Sequence, residues 1–120
     1  MQVVFAPQEH RIWVTVEEVK GTMAHAIKRN DGQLLVRVSG KLDAVTAPEL
    51  QEDLESILKP DDDVLFDFRD LGFISSGGLR VLLSTYKQVS KRGSIEIVNV
   101  APNVMEVLEV SGFDQLFPVS

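Results

Sequence analysis

The chain has 120 residues, 44% of them apolar and 25% charged, with a formal net charge of −6. That size fits one domain around one buried core, and the acid excess speaks against direct nucleic-acid binding and against docking on an anionic membrane. Cysteine is absent, which excludes a disulfide framework, a thiol nucleophile and a zinc–thiolate site and fits a reducing cytoplasm.

The first residues lack a basic segment followed by a long apolar run, so they do not read as a signal peptide. No apolar run approaches the length needed to cross a bilayer, so no membrane insertion is expected. Residues 1–22 differ from the rest. Ile12, Val14 and Val16 alternate with Trp13 and Thr15, a period-2 pattern that suits a strand, and Gly21-Thr22 breaks it. An extra edge strand, a partner-binding arm and a disordered extension all fit this segment, and a role in homodimerisation stays open. The domain proper is read as residues 23–120.

Residues 24–29 suit a short strand, and Asn30-Asp31-Gly32 is a hairpin signal. Leu34, Val36 and Val38 alternate with Leu35 and Arg37 in the next strand, which Ser39-Gly40 is expected to end. Thr46-Ala47-Pro48-Glu49 predicts a helix start, with Thr46 as cap and Glu49 completing a capping box. Leu50, Leu54, Ile57 and Leu58 form its apolar stripe. Pro60 and Asp61-Asp62-Asp63 stop it, the acidic run reading as a solvated loop. Residues 64–68 form a nearly continuous apolar run, as expected of a strand covered on both faces. A loop is then predicted through Leu71-Gly72-Phe73-Ile74. After Ser75-Ser76-Gly77-Gly78, residues Leu79, Leu82, Leu83, Tyr86 and Val89 recur at helical spacing, Lys87, Lys91 and Arg92 suit the helix C-terminus, and Gly93 ends it. Residues 95–100 form another strand, Pro102 opens a last helix that Gly112 closes, and residues 113–119 suit a final short strand. This alternation predicts an α/β domain, a small mixed β-sheet with about three main helices.

Several of these stretches resemble one family. Val38-Ser39-Gly40-Lys41-Leu42-Asp43 with Thr46-Ala47-Pro48-Glu49-Leu50 is similar to a strand, loop and first helix of STAS domains. The run from Asp67 to Leu83, with Ser75-Ser76-Gly77-Gly78 at its centre, resembles the second helix start of the same family, and Ser111-Gly112-Phe113 also fits. The resemblance spans about residues 24–118. It implies a STAS-like fold and a cytoplasmic binding switch of the anti-sigma-factor-antagonist type. The implied partners are an anti-sigma factor or serine kinase, whose phosphorylation of a serine breaks the complex, and a serine phosphatase that restores it.

The family's usual pattern is Asp-Ser-Ser-Gly-Leu, its second serine accepting phosphate. Aligned without a gap, that position is Gly77 here, Ser75 replaces the aspartate and Ser76 matches the first serine. Ser76 is thus the acceptor candidate, with Ser75 second, unless the chain is not phosphorylated at this point. The resemblance further implies a partner-binding face of Asp43, Thr46, Ser75, Ser76, Gly77, Gly78 and Arg80. Each has a plainer reading: Ser76 as helix cap, Ser75 as turn residue, Thr46 as cap, Asp43 as local cap, and the glycines as places of close approach.

Asp67 and Asp70 read as solvated or loop-bonded carboxylates rather than a magnesium site, so no metal is expected. No Walker loop, dinucleotide fingerprint or nucleophile elbow occurs, and neither His10 nor His25 falls near the motifs, so the chain reads as no enzyme and needs no cofactor. A constitutive STAS scaffold or regulatory subunit of a transport, stress-sensing or polysaccharide-control system is the alternative within this fold. A hydrolase using Ser76 would need a base nearby, and a nucleotide-binding module would need a phosphate loop.

Overall fold

The structure, a computed structural model, describes residues 3–5, 14–16, 19–22 and 24–120. Strands β1 (Val3–Phe5) and β2 (Val14–Val16) pair antiparallel, so the alternation read near residue 14 is realised as a strand over its last three residues. Ile12, His10 and Met23 lie outside the described residues.

The main sheet has the order β3-β4-β5-β6-β7, with β3 Val19–Gly21, β4 His25–Asn30, β5 Gln33–Leu42, β6 Asp63–Ile74 and β7 Ser94–Val98. The pairs β3/β4 and β4/β5 are antiparallel; β5/β6 and β6/β7 are parallel. It is therefore a mixed sheet, crossed by α1 (Thr46–Ile57) and α2 (Ser76–Val89) and followed by α3 (Pro102–Val110). The β4–β5 hairpin turns on Asp31 (φ 52°) and Gly32 (φ 84°), the two left-handed residues that a tight hairpin turn needs to match strand twist.

Register explains the core. Ile27, Val36, Phe66 and Ile97 lie side by side across the sheet and are all buried, as are Leu34, Val64 and Ile95 in the next row. Each such side chain contributes roughly 1.5–3 kcal/mol by leaving water. Parallel crossovers are almost always right-handed, which puts α1 and α2 on this same face. They bury Leu50, Leu54 and Ile57, and Val81, Leu82 and Val89, into it. On the opposite face Leu65 is half-buried and Asp67 is buried, so β6 is covered on both faces, less completely at Leu65.

Two strands run further than the local pattern predicts. β5 does not stop at Ser39-Gly40, and residues 71–74 are strand rather than loop. The β5/β6 register slips between Arg37 and Ser39 and again between Gly40 and Lys41, each time with one extra residue on β6. Each bulge shifts the inward position by one. The buried apolar residues of β6 accordingly fall at Val64, Phe66, Phe68, Leu71 and Ile74, spacings of 2, 2, 3 and 3 that hide the strand period in its second half.

One polar expectation changes, and two further polar residues are buried with partners, Asp67 by the loop hydrogen bonding expected of it. Asp62 is no part of a solvated loop: it is 2% exposed and ion-paired with Arg29, itself 4% exposed. His25 is buried on β4, with its Nε2 2.8 Å from Asp53 Oδ2 on α1. Asp67 is buried and accepts hydrogen bonds from the Arg69 amide and from Asn99 Nδ2, both at 3.0 Å. The last strand expected near the C-terminus reduces to a 3-10 turn (Phe113–Gln115) and one bridge between Val119 and Ile97. Among the described residues no helix is long and apolar enough to cross a membrane.

Candidate functional site

The C-terminal ends of β5 and β6 lead into α1 and α2, so the two helix starts meet at one end of the sheet. Asp43 controls the first. Its Oδ1 accepts the amides of Val45 (3.0 Å) and Thr46 (3.1 Å), while Thr46 Oγ1 accepts the Asp43 amide (3.0 Å) and donates to the Lys41 carbonyl (2.7 Å). This is a reciprocal capping box with Asp43 as cap and Thr46 as its return partner, not the Thr46–Glu49 box the sequence suggested. The Thr46 and Val45 amides hold the Asp43 carboxyl below its ordinary value, outweighing the small cost of desolvation.

β6 passes into α2 through a single residue. The Ser75 amide donates to Leu42 O (2.9 Å), and its carbonyl accepts the Leu79 amide (3.0 Å). Its hydroxyl accepts the Gly77 amide (3.2 Å), so Ser75, not Ser76, is the α2 cap. Ser76 is the first helical residue and is exposed, and its hydroxyl has no hydrogen-bond partner among the described residues.

The two glycines differ. A Cβ on Gly78 would stand 2.7 Å from Ile74 Cγ1 and 2.9 Å from Leu42 Cγ, so this buried position allows α2 to lie against the strand ends. A Cβ on Gly77 would meet Ala47 Cβ and Asp43 O at 3.5 Å, ordinary contact distance. Close approach thus explains Gly78 and does not explain Gly77.

Asp43, Ser75, Ser76, Gly77 and Arg80 line one groove of about 680 Å³ between the N-terminal halves of α1 and α2. Gly78 lies buried beneath its edge, and Thr46 lines a shallower depression with Lys41 and Val45. Residues the sequence reading missed complete the groove: Ala44 just ahead of α1, Ala47, Pro48, Gln51 and Glu55 from α1, and Val81 and Ser84 from α2. On α1 they recur at spacings of three and four, a second stripe beside the core stripe, and that recurrence was the available signal. Val45 (75% exposed) and Phe73 (46% exposed) are large apolar side chains near the same end of the sheet that the reading also passed over.

Among the described residues no histidine lines the groove beside Ser76. Its neighbours in the groove are carboxylates, amides, hydroxyls and one guanidinium, and His25, the one histidine among the described residues, is buried against Asp53. The described residues hold no cluster of metal-binding side chains. The chemistry on offer is recognition: an exposed hydroxyl at a helix N-terminus, an apolar groove floor and charged rims.

A model of the family described as the STAS domain matches residues 24–120. The anti-sigma-B factor antagonist of Bacillus subtilis is 26% identical over 95 residues, which cover 78% of this chain and 87% of that protein. BtrV of Bordetella bronchiseptica, described as an anti-sigma factor antagonist, is 36% identical over 92 residues, covering 75% and 79%. The crystal structure of an anti-sigma factor antagonist from Mycobacterium paratuberculosis superposes with a TM-score of 0.71 at 28% identity, over 79% of this chain and 82% of that one.

Proposed function

The chain belongs to the STAS domain family, and on that premise we propose that it is a cytoplasmic anti-sigma-factor antagonist that binds an anti-sigma factor through the paired starts of α1 and α2. The observation that carries the switch is the contrast between two adjacent serines. Ser75 is committed to capping α2, whereas Ser76 presents an exposed, unengaged hydroxyl on the lip of the groove.

A phosphate on Ser76 would bring about −1.5 to −2 charges. The chain would tolerate it, because first-turn amides and the helix dipole favour an anion there. Arg80, one turn along, is exposed and has no ion pair among the described residues, so it can approach that phosphate as an i,i+4 neighbour. A docked partner would instead face a charge it must desolvate or repel. In this reading a serine kinase discharges the antagonist and a serine phosphatase resets it, while Asp43, Thr46 and the glycines shape the docking face.

The test is incubation of the full chain with its co-encoded anti-sigma serine kinase and ATP, followed by intact mass and site mapping. One phosphoryl group on Ser76, and weaker kinase binding by Ser76→Asp in calorimetry, support the switch; an unmodified chain refutes it. Gly77 favours a second reading, because the family's acceptor position holds no hydroxyl here. In that reading the domain binds its partner constitutively, and Ser76→Asp leaves binding unchanged.

A further inference from the structure

We propose that the α1–α2 groove seats an amphipathic helix of the partner protein, with an aliphatic ridge, lysine or arginine along the edge facing α1, and aspartate or glutamate along the edge facing α2. The inference rests on the reading of the α2 start as the partner face and specifies what the partner brings to it.

Charge segregation carries it. From Asp43 to Leu58 the chain has no basic residue, and Glu49, Glu52 and Glu55 of α1 are exposed. From Ser76 to Val89 it has no acidic residue, and Arg80 and Lys87 are exposed. Of the charged residues, Asp43 and Glu55 line the groove on the α1 side and Arg80 on the α2 side, so its walls have opposite sign. They do not neutralise each other: Glu55 and Arg80 both line it, yet no ion pair among the described residues joins them. Between them lies a floor of small apolar groups, Ala44, Ala47, Pro48 and Val81. Gln51 Nε2 reaches Ser84 Oγ at 3.2 Å and bridges the two walls. A cleft between two helices, apolar below and charged on each rim, matches the helix-in-groove mode of recognition. Complementary rims also fix orientation and exclude wrong partners.

The acidic wall is held in place. Asp53 of α1 meets buried His25, and Arg29 donates to the Ile57 carbonyl at the end of α1 (2.6 Å), so the wall is organised before binding. Ser76 and Arg80 share the opposite lip. A phosphate on Ser76 would supply the anion that Arg80 otherwise takes from the acidic edge of the helix, which links occupancy of the groove to phosphorylation.

The probe is a designed helical peptide with an alanine–leucine ridge, lysines on one edge and glutamates on the other, titrated into the 15N-labelled full chain. Amide shifts should concentrate at Ala47, Gly77 and Val81. A control peptide with glutamates on both edges, and the Glu52→Lys/Glu55→Lys variant against the first peptide, should each bind at least about tenfold more weakly. Ala44→Trp, placed at an exposed turn position just ahead of α1, should block the groove and abolish the shifts without changing the folded spectrum elsewhere. Shifts mapping away from the groove, affinity indifferent to charge, or unimpaired binding by Ala44→Trp would overturn the proposal. The outcomes are separable: Ser76 phosphorylated with no peptide bound removes the groove alone, and peptide bound with Ser76 unmodified removes the switch alone.

Discussion

Replacing Asp62 by alanine would leave the Arg29 guanidinium buried without its counter-charge. The pair is closed off from water at both ends, and Arg29 donates to the two Asp62 oxygens at 2.5 and 2.8 Å as well as to Ile57 O. The Lys59 amide donates to Asp62 Oδ2 at 2.7 Å, so one carboxylate joins β4, the end of α1 and the approach to β6. Removing one member of such a pair costs about 3–5 kcal/mol. Domains hold about 5–15 kcal/mol in all, so the variant should keep little margin. Urea unfolding at pH 7 measures the loss directly, and Tm should fall by more than about 10 °C. Arg29→Met with Asp62→Leu removes both charges and should cost far less than the two single changes summed.

The pH dependence has a defined sign. Burial pushes the Asp62 carboxyl up, but hydrogen bonds from Arg29 and the Lys59 amide, together with the positive charges of the Arg29 and Lys59 side chains, bring it below its ordinary 3.8. A carboxyl depressed in the folded state stabilises fully above its unfolded value and loses that contribution as pH falls through the folded one. Wild type and Asp62→Ala should therefore differ most near neutrality and converge below 3.8. A loss under about 1 kcal/mol at pH 7, the range of an exposed pair, would refute the description of a sealed ion pair.

Gly78→Ala should cost about 1–3 kcal/mol through overpacking against Ile74 and Leu42, whereas Gly77→Ala should be neutral or stabilising by up to about 1 kcal/mol; equal urea midpoints would disprove the distinction. Ser75→Ala should lose about 1 kcal/mol of stability with its cap, while Ser76→Ala should unfold like wild type, and the reverse ranking would exchange their roles. Asp43→Ala should lower Tm at pH 7. Because the Thr46 and Val45 amides depress the Asp43 carboxyl in the folded state, that difference should shrink as pH falls below 3.8; a pH-independent difference would remove the cap from the explanation.

Elements with an intact period were legible from residues alone: the β4–β5 hairpin from Asn30-Asp31-Gly32, the α1 stripe from Leu50 and Leu54, the α3 start from Pro102. Where the period broke, so did the reading. Two bulges turned the end of β6 into an apparent loop, because each moved the inward side chain by one residue. Polar residues were legible in type and not in partner. Arg29 and Asp62 meet across 33 positions and His25 and Asp53 across 28, separations no local pattern encodes. The α2 cap was missed by one register step, at Ser75; Asp43 is the local cap its plainer reading made it, while the Thr46–Glu49 box is not the one used, since several neighbouring side chains could each serve and backbone geometry alone chose among them. The residues implied by family resemblance do gather around one end of the sheet. Of the groove beside them only the second stripe on α1 leaves a trace in the sequence, because its walls are fixed by how α1 packs on α2.

The one-residue passage from β6 to α2 limits how such a protein can signal. Ser75 is anchored on both sides, to Leu42 and to Leu79, and leaves no hinge that could swing the neighbouring hydroxyl or let the helix slide. Charging Ser76 would draw the Arg80 side chain and leave the backbone where it is. Two regulatory states of this chain should then share a single backbone trace and differ only in the electric field they show a visitor.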